Sequence, residues 1–300
     1  MRVPVSPSAF SGIALLGILG AIFGCTETFA VAQALTAAGP NANRAQTGDP
    51  AKEVQTNGVQ VHFREPDPIN FDEHDGFVSL FDGKTLKDWD GDPETWRVED
   101  GAIIGESTKE RPRQNSYLAY HGLEAKDFDL KLEIKVENGG GSGIQYRSSV
   151  GKPWIRGVRP GPVLPPLKWM MTGPQADFWF PVKPSNFQWS GQFYSENTEL
   201  GILAWRGQIT EGEPGKPTRL LGNIASRDAL GGYIKINDWN QYEIIARGGT
   251  FIHIINGQLM AIYIDDDPNS SNNVSGLIGI EVEGTPCKVS VRNIWIRKFN

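Results

Sequence analysis

The sequence predicts an all-β protein: a sandwich of two antiparallel sheets, or a single sheet closed into a barrel. Three observations carry that expectation. Phe128-Asp129-Leu130-Lys131-Leu132-Glu133-Ile134-Lys135-Val136 alternates strictly, with Leu130, Leu132, Ile134 and Val136 on one face and charged side chains on the other. Similar short apolar runs recur along most of the chain, separated by glycine, asparagine and aspartate turn signals. Only Thr218–Leu230 offers a helical turn or two. Half-buried strands of this kind need a second layer to cover their apolar faces.

In chain order, strands are expected at Phe77–Phe81, Ala102–Gly105, Ser116–Tyr120, Phe128–Val136 and Ile144–Arg147, then at Ile202–Trp205, Tyr242–Arg247, Phe251–Ile255, Leu259–Ile264, Leu277–Val282 and Val289–Phe299. The turns between them are marked by Asp82-Gly83, Asp100-Gly101, Gly139 to Gly143, Gly248-Gly249, Asn256-Gly257 and Asp265 to Pro268. One stretch breaks the rhythm. Gly151–Ser190 holds eight of the 20 prolines and four of the nine tryptophans, Trp154, Trp169, Trp179 and Trp189. Proline cannot donate to a ladder, so this stretch is expected to be mainly a long loop excursion and not sheet. Its tryptophans either pin the loop to the sandwich or offer sugar-stacking faces.

The chain has 300 residues with 29 Lys plus Arg against 35 Asp plus Glu, a formal charge of −6. No basic stretch could follow a phosphate backbone, so nucleic acid is not an expected partner. Two cysteines, Cys25 and Cys287, exclude a disulfide scaffold and four-thiolate metal sites. Phe10 to Phe23 is an apolar run behind Arg2, followed by Ala30-Val31-Ala32, so residues 1–34 are expected to be an export signal. That run would reach only ~21 Å as a helix, short of the ~30 Å hydrocarbon layer, which argues against a permanent membrane span. Ile22-Phe23-Gly24-Cys25 also resembles a bacterial lipoprotein box, which would make Cys25 an anchor in a periplasmic or extracellular setting. Residues 35–70 are expected to be a flexible linker, with the compact domain spanning 71–300.

Several chemistries are absent. Gly139-Gly140-Gly141-Ser142-Gly143 is followed by an alternating run and not a helix, so it is a strand connection and not a phosphate loop. There is no Gly-x-Ser-x-Gly elbow and no His-Glu-x-x-His pair. Asp265, Asp267 and Asn269 open like a calcium loop, but Ser270 and Gly276 stand where glycine and glutamate are required, so a solvated turn is expected.

Gly76-Phe77-Val78-Ser79-Leu80-Phe81-Asp82-Gly83-Lys84-Thr85-Leu86 resembles the start of the 3-keto-disaccharide hydrolase domain family. Trp96 to Gly101, Asp127 to Glu133, Ser142 to Arg147, Gly173 to Asp177, Asp238 to Glu243, His253 to Gly257 and Arg292 to Ile294 resemble its motifs in the same order, so the resemblance covers about 225 residues. It implies a concanavalin A-like jelly roll, related in fold to lectins and glucanases. It also implies substrates already oxidised to a ketone at C3, and hence a partner sugar 3-oxidoreductase that makes them. A C3 ketone acidifies the C2 proton: a base removes it, the charge rests on an enolate, and the C1 substituent is eliminated before water adds. Such a site needs a base, groups at the ketone oxygen and an acid for the leaving group.

The candidate residues follow from resemblance and strand parity. Glu133, Gln145 and Arg147 resemble the family's polar positions, with Gln145 and Arg147 expected on one face. His253 is either a core histidine or a base or acid. Asp177, in the segment resembling Gly-x-Gln-x-Asp with Gln175, is a base, a metal ligand or a turn carboxylate. Arg147 and Arg206 either steady an enolate or are each half of an ion pair, and Tyr194 and Trp205 are candidates for holding substrate. Where the family commonly has Gln-x-His, this chain has Glu281-Val282-Glu283. If the strand is regular the two carboxylates share a face, where repulsion would raise one pKa or a divalent cation would bridge them; they are either substrate-binding groups or ordinary solvent-exposed glutamates. No organic cofactor is expected. A non-catalytic carbohydrate-binding sandwich is the alternative to an enzyme, while a conventional glucanase lacks the Glu-x-Asp-x-x-Glu run that would supply its paired carboxylates.

Overall fold

The computed structural model of the chain describes residues 53–56, 59–62, 67–112, 115–155, 168–180, 189–284 and 286–299. The contacts divide it into two units, Met1–Pro66 and Asp67–Asn300. The expected export signal at 1–34, with Cys25, lies outside the described residues. So does most of the expected linker, except that Glu53–Thr56 (β1) and Val59–His62 (β2) form an antiparallel hairpin in the first unit. Val59-Gln60-Val61, alternating directly after Asn57-Gly58, is the sequence signal for that hairpin.

The second unit is a jelly-roll β-sandwich. Its strands are β3 (Val78–Ser79), β4 (Trp89–Gly91), β5 (Trp96–Glu99), β6 (Ala102–Ser107), β7 (Asn115–Ala125), β8 (Phe128–Glu137), β9 (Gly141–Val150), β10 (Met171–Trp179), β11 (Phe193–Glu196), β12 (Gly201–Ala204), β13 (Gln208–Gly212) and β14 (Arg219–Asn223). After the one-turn helix α1 (Arg227–Gly231) come β15 (Asn240–Arg247), β16 (Thr250–Ile255), β17 (Gln258–Asp265), β18 (Gly276–Glu283) and β19 (Cys287–Lys298). The smaller sheet runs β12-β11-β10-β9-β18-β7-β4 and the larger β14-β13-β17-β16-β15-β8-β19-β6-β5, with β3 also pairing β19. All described pairings in this unit are antiparallel except β13 with β17, which is parallel.

Alternation builds the interior. Ile144, Tyr146, Ala176, Phe178, Phe193, Ile278, Ile280 and Val282 of the smaller sheet face Leu130, Leu132, Ile134, Tyr242, Ile244, Phe251, Val289 and Val291 of the larger. Phe193 meets Phe251 across the gap at 5.0 Å between ring centroids. Burying each such aliphatic or aromatic side chain contributes about 1.5–3 kcal/mol. Cys287 is a buried free thiol at this interior. Odd-numbered residues of β10 and β18, such as Gln175, Asp177, Glu281 and Glu283, take the outer face.

Three expectations need correction. Gly151–Ser190 is not loop throughout: β10 lies within it, while residues 156–167 and 181–188 fall outside the described residues. Pro174 is tolerated in β10 because the pairing with β9 breaks register between Thr172 and Gln175, where no ladder donor is needed. The helix is shorter than Thr218–Leu230: Ser226 caps it, its side chain accepting from the Ala229 amide, and Arg219–Asn223 pairs as a strand instead. The Asp265 turn is not solvated at its ends. The Asp265 carboxylate accepts hydrogen bonds from Ser270 Oγ and Asn272 Nδ2, and Asn272 is buried.

The outer face of the larger sheet carries its own charged group. Asp129, Lys131 and Glu243 are buried there, although their strand parity points away from the interior. The segment Asn70–Phe77 covers them. Lys131 Nζ donates to the carbonyls of Asn70 and Glu73, both at 3.0 Å, and its ammonium lies over Phe77. His74 stacks on Trp295 at 4.5 Å. Arg297 joins the group through Asp129 at 3.1 Å.

Candidate active site

A cleft of about 340 Å³ opens on the outer face of the smaller sheet. It is lined by Gln175, Asp177 and Trp179 of β10, Gln192, Tyr194 and Glu196 at β11, Asn115 of β7, Glu283 of β18 and Ile202 of β12. Trp154, Ile155, Trp189 and Asn197 complete its walls. Glycines on β9 make the room. Trp179 and Glu283 are both register partners of Gly141, and a side chain there would collide with the Trp179 indole. Gln175 likewise lies across Gly143, where a Cβ would strike its amide. The glycine run read as a strand connection therefore also clears the sheet beneath the cleft.

The walls are fixed from behind. Asn197, at φ 53°, accepts from the Ile155 amide and donates to Pro153 O at 3.0 Å and Thr172 Oγ1 at 2.7 Å, which holds the Trp154 corner. Ser190 Oγ accepts from the Trp179 amide at 2.9 Å, and Trp179 meets Trp189 edge to face at 4.5 Å. This arrangement gives the cleft an indole rim over a polar floor.

The floor is a group of carboxyls held by neutral donors. Glu281 accepts from Asn115 Nδ2 at 2.6 Å and from the Gln175 amide, and the Tyr117 hydroxyl bonds it as well. Burial raises its pKa, and those three bonds oppose the rise. Asp177 accepts from Gln192 Nε2. Burial lifts its pKa well above the usual carboxylate range, the Gln192 bond opposes this, and the charges of Glu281 and Glu283 add to it. Glu196 is likewise raised well above its ordinary value, by burial and then by Glu281, Glu283 and Asp177. Glu283 is pushed up to about 8 by burial and by Glu281. Among the described lining residues there is no Lys, Arg or His. Among the described residues no three His, Cys, Asp or Glu side chains gather in a metal-holding group.

The residues singled out from sequence divide sharply. Gln175, Asp177, Tyr194 and Glu283 line the cleft, and Glu281 lies in its floor. Gln145 is fully buried near them, its Oε1 accepting from Ser148 Oγ at 2.9 Å and its Nε2 without a partner. Glu133 does not join them. Its strand belongs to the larger sheet, where it pairs with Arg292 at 2.8 Å and with Asn293. Arg147 does not share a face with Gln145, because its φ of 48° at a register break turns the side chain inward over Phe251. There it donates to the carbonyls of Lys126, Gly248 and Asn272 and pairs with Asp127 at 3.2 Å.

His253 lies between the sheets and is buried. Its Nε2 is 2.8 Å from the Tyr146 hydroxyl and its Nδ1 3.1 Å from Gln192 O, and burial pushes its pKa down to about 4. It does not reach the cleft. Arg206 supports the rim instead of facing it, donating to Ser190 O at 3.0 Å and Arg227 O at 2.9 Å. Trp205 stacks with Arg227 at 4.4 Å. Sequence reasoning missed Asn115, Tyr117, Gln192 and Glu196. Glu196 shares the parity of Tyr194, which was the available signal. Asn115 is the cross-strand partner of Glu283 and could be found only after pairing was known.

The model of the family described as 3-keto-alpha-glucoside-1,2-lyase-like domain matches residues 76–297. A curated Bacteroides thetaiotaomicron protein named 3-keto-disaccharide hydrolase is 37% identical over 79 residues, covering 24% of this chain and 27% of that protein. The matched segment thus spans about a quarter of that relative. Among solved structures, a candidate glycosyl hydrolase from Parabacteroides distasonis is 18% identical, covering 75% of this chain and 95% of the other at a TM-score of 0.44. A carbohydrate binding module from Bacillus subtilis is 12% identical, covering 74% and 96% at a TM-score of 0.40.

Proposed function

The chain belongs to the 3-keto-alpha-glucoside-1,2-lyase-like domain family, and on that premise we propose that it cleaves 3-keto glycosides by elimination followed by hydration. The name of the Bacteroides relative supports a 3-keto disaccharide as substrate. The observation that carries the reading is the cleft floor, where burial and mutual repulsion raise the pKa values of neighbouring carboxyls far above their ordinary range. A carboxyl that titrates near 8 is a usable base at working pH, and one held neutral can donate a hydrogen bond or a proton.

Glu283 is the base in this reading. It takes the C2 proton, and the electron pair moves onto the C3 oxygen as an enolate. The enolate then collapses to a C1–C2 double bond and expels the C1 oxygen, which takes a proton from neutral Asp177. Water adds to C1 and C2 regains a proton, so the net change is hydrolysis. Neutral carboxyls and the Tyr194 hydroxyl supply hydrogen bonds to the enolate oxygen, the part the sequence reading gave to arginine. Trp154, Trp179 and Trp189 offer their faces to the sugar ring. An oxidoreductase acting at C3 would supply the substrate, in the periplasm or outside the cell if residues 1–34 direct export.

The indole rim would also suit a module that only binds carbohydrate. Incubating the purified protein with a 3-keto disaccharide and its unoxidised parent separates the readings. Turnover of the ketone alone supports elimination, binding without turnover supports the module, and cleavage of the parent overturns both.

A further inference from the structure

His253 lies outside the cleft, yet its two nitrogens are fully engaged, and one of their partners reaches the proposed acid. We propose that His253 is a positioning residue that holds the Gln192 main chain from between the sheets and thereby sets the Asp177 carboxyl in the cleft. The proposal rests on the assignment of the cleft given above.

The hydrogen bonds run in one direction. A carbonyl oxygen can only accept, so the 3.1 Å contact to Gln192 O places the imidazole proton on Nδ1. Nε2 is then bare and accepts from the Tyr146 hydroxyl at 2.8 Å. Gln192 O also receives the Asp177 amide at 3.4 Å, and the Gln192 side chain returns to Asp177 through Nε2. One residue therefore touches Asp177 at both main chain and side chain, and His253 holds that residue. Gln192 is nearly fully buried at 3% exposure, its Oε1 has no partner, and it lines the cleft, so its amide also offers an acceptor toward a bound ligand.

The imidazole has no route to proton traffic. It is 1% exposed, stacks on Phe193 at 5.8 Å, and is met edge-on by Tyr146 and Tyr242, the titratable groups packed around it. Burial keeps it neutral over the working range. Asp177 in turn is faced by Glu281, Glu283 and Glu196 across the floor, by Tyr194, and by the Tyr242 hydroxyl, which donates to its carbonyl at 3.3 Å. The Gln192 bond is the interaction that favours the ionised form of Asp177.

Two variants separate positioning from filling space. His253→Asn keeps an amide N–H where Nδ1–H stands, and His253→Gln keeps an amide only where Nε2 stands. We expect His253→Gln to lower kcat about 100-fold on a 3-keto disaccharide, the scale of a 1 Å misplacement. His253→Asn should stay within about 10-fold, and the basic limb of the pH profile should move upward only in His253→Gln. Equal losses in the two variants, or an unmoved limb, would overturn the proposal. An inert wild type would instead sink the elimination reading. In that event the carboxyl ¹³C titration of Asp177 still decides the positioning, by an upward shift in His253→Gln and none in His253→Asn. If neither variant folds, ¹⁵N spectra of the wild-type imidazole decide it. A protonated Nδ1 and a bare Nε2, unchanged from pH 5 to 9, support it; a titration near 6.5 refutes it.

Discussion

The side-chain amide of Gln175 donates to Glu281, joining β10 to β18 across Gly143 of the strand between them. The bond stabilises the ionised form of a buried carboxyl and so lowers its pKa against the effect of burial. Replacing Gln175 by Leu leaves Glu281 with one donor fewer. We expect a loss of about 1–3 kcal/mol in unfolding free energy, larger at pH 8 than at pH 5, because only the ionised carboxyl depends on the lost bond. Urea unfolding at the two pH values measures it.

Activity should rise with pH as Glu283 ionises, with an acidic limb in kcat/KM near 8, and fall again where Asp177 loses its proton. Glu283→Gln should remove the acidic limb and reduce turnover by about 10²–10⁴-fold. Steady-state rates from pH 5 to 10 test both statements. A limb that persists in Glu283→Gln would assign the base elsewhere.

The same group makes a stability prediction of definite sign. Its folded-state pKa is raised from 4.5 to about 8, so the native state holds the proton more tightly than the unfolded chain does. That stabilisation is complete below the unfolded value and is lost as pH rises through about 8. Glu283→Gln should therefore be nearly neutral at pH 4 and stabilising at pH 9, by up to about 5 kcal/mol for a shift of that size, or roughly 10–20 °C in Tm. Thermal unfolding at both values checks it.

Trp179 lies across Gly141 at the cleft edge and meets Trp189 at 4.5 Å. Trp179→Ala should weaken sugar binding by about 5–10-fold, with a smaller change in kcat. Separate determination of KM and kcat, or titration calorimetry with an unreactive analogue, distinguishes binding from chemistry.

Arg147 joins the segments at Lys126–Asp127, Gly248 and Asn272–Asn273 through its guanidinium. Arg147→Lys cannot reproduce the planar fork, and a loss of about 3 kcal/mol is expected. Activity per folded molecule should survive at 25 °C. A specific loss of turnover in fully folded protein would return Arg147 to the chemistry.

Much of the sandwich was legible because alternation is a local property. β8 follows Phe128–Val136, and the equal parity of Glu281 and Glu283 puts both on one face. Parity does not say which sheet a strand joins, so Glu133 and Asp177 looked equivalent although they lie on opposite outer faces. It also fails at a bulge, which is how Arg147 was assigned to the wrong side of β9. His253 had apolar neighbours at both parities, and only the partner strand could settle its surroundings. The carboxyl floor draws on β7, β10, β11 and β18, an assembly that depends on sheet order and on no single stretch of sequence.

The strap Asn70–Phe77 has a practical consequence for where the protein can be cut. The recognisable family segment begins at residue 76, but the two carbonyls that hold Lys131 belong to Asn70 and Glu73, and the ring stacked on Trp295 belongs to His74. A fragment started at Gly76 would bare an indole and open Asp129, Lys131 and Glu243 to water. The shortest piece expected to fold cleanly begins at Asp67, ahead of the point where the family match starts.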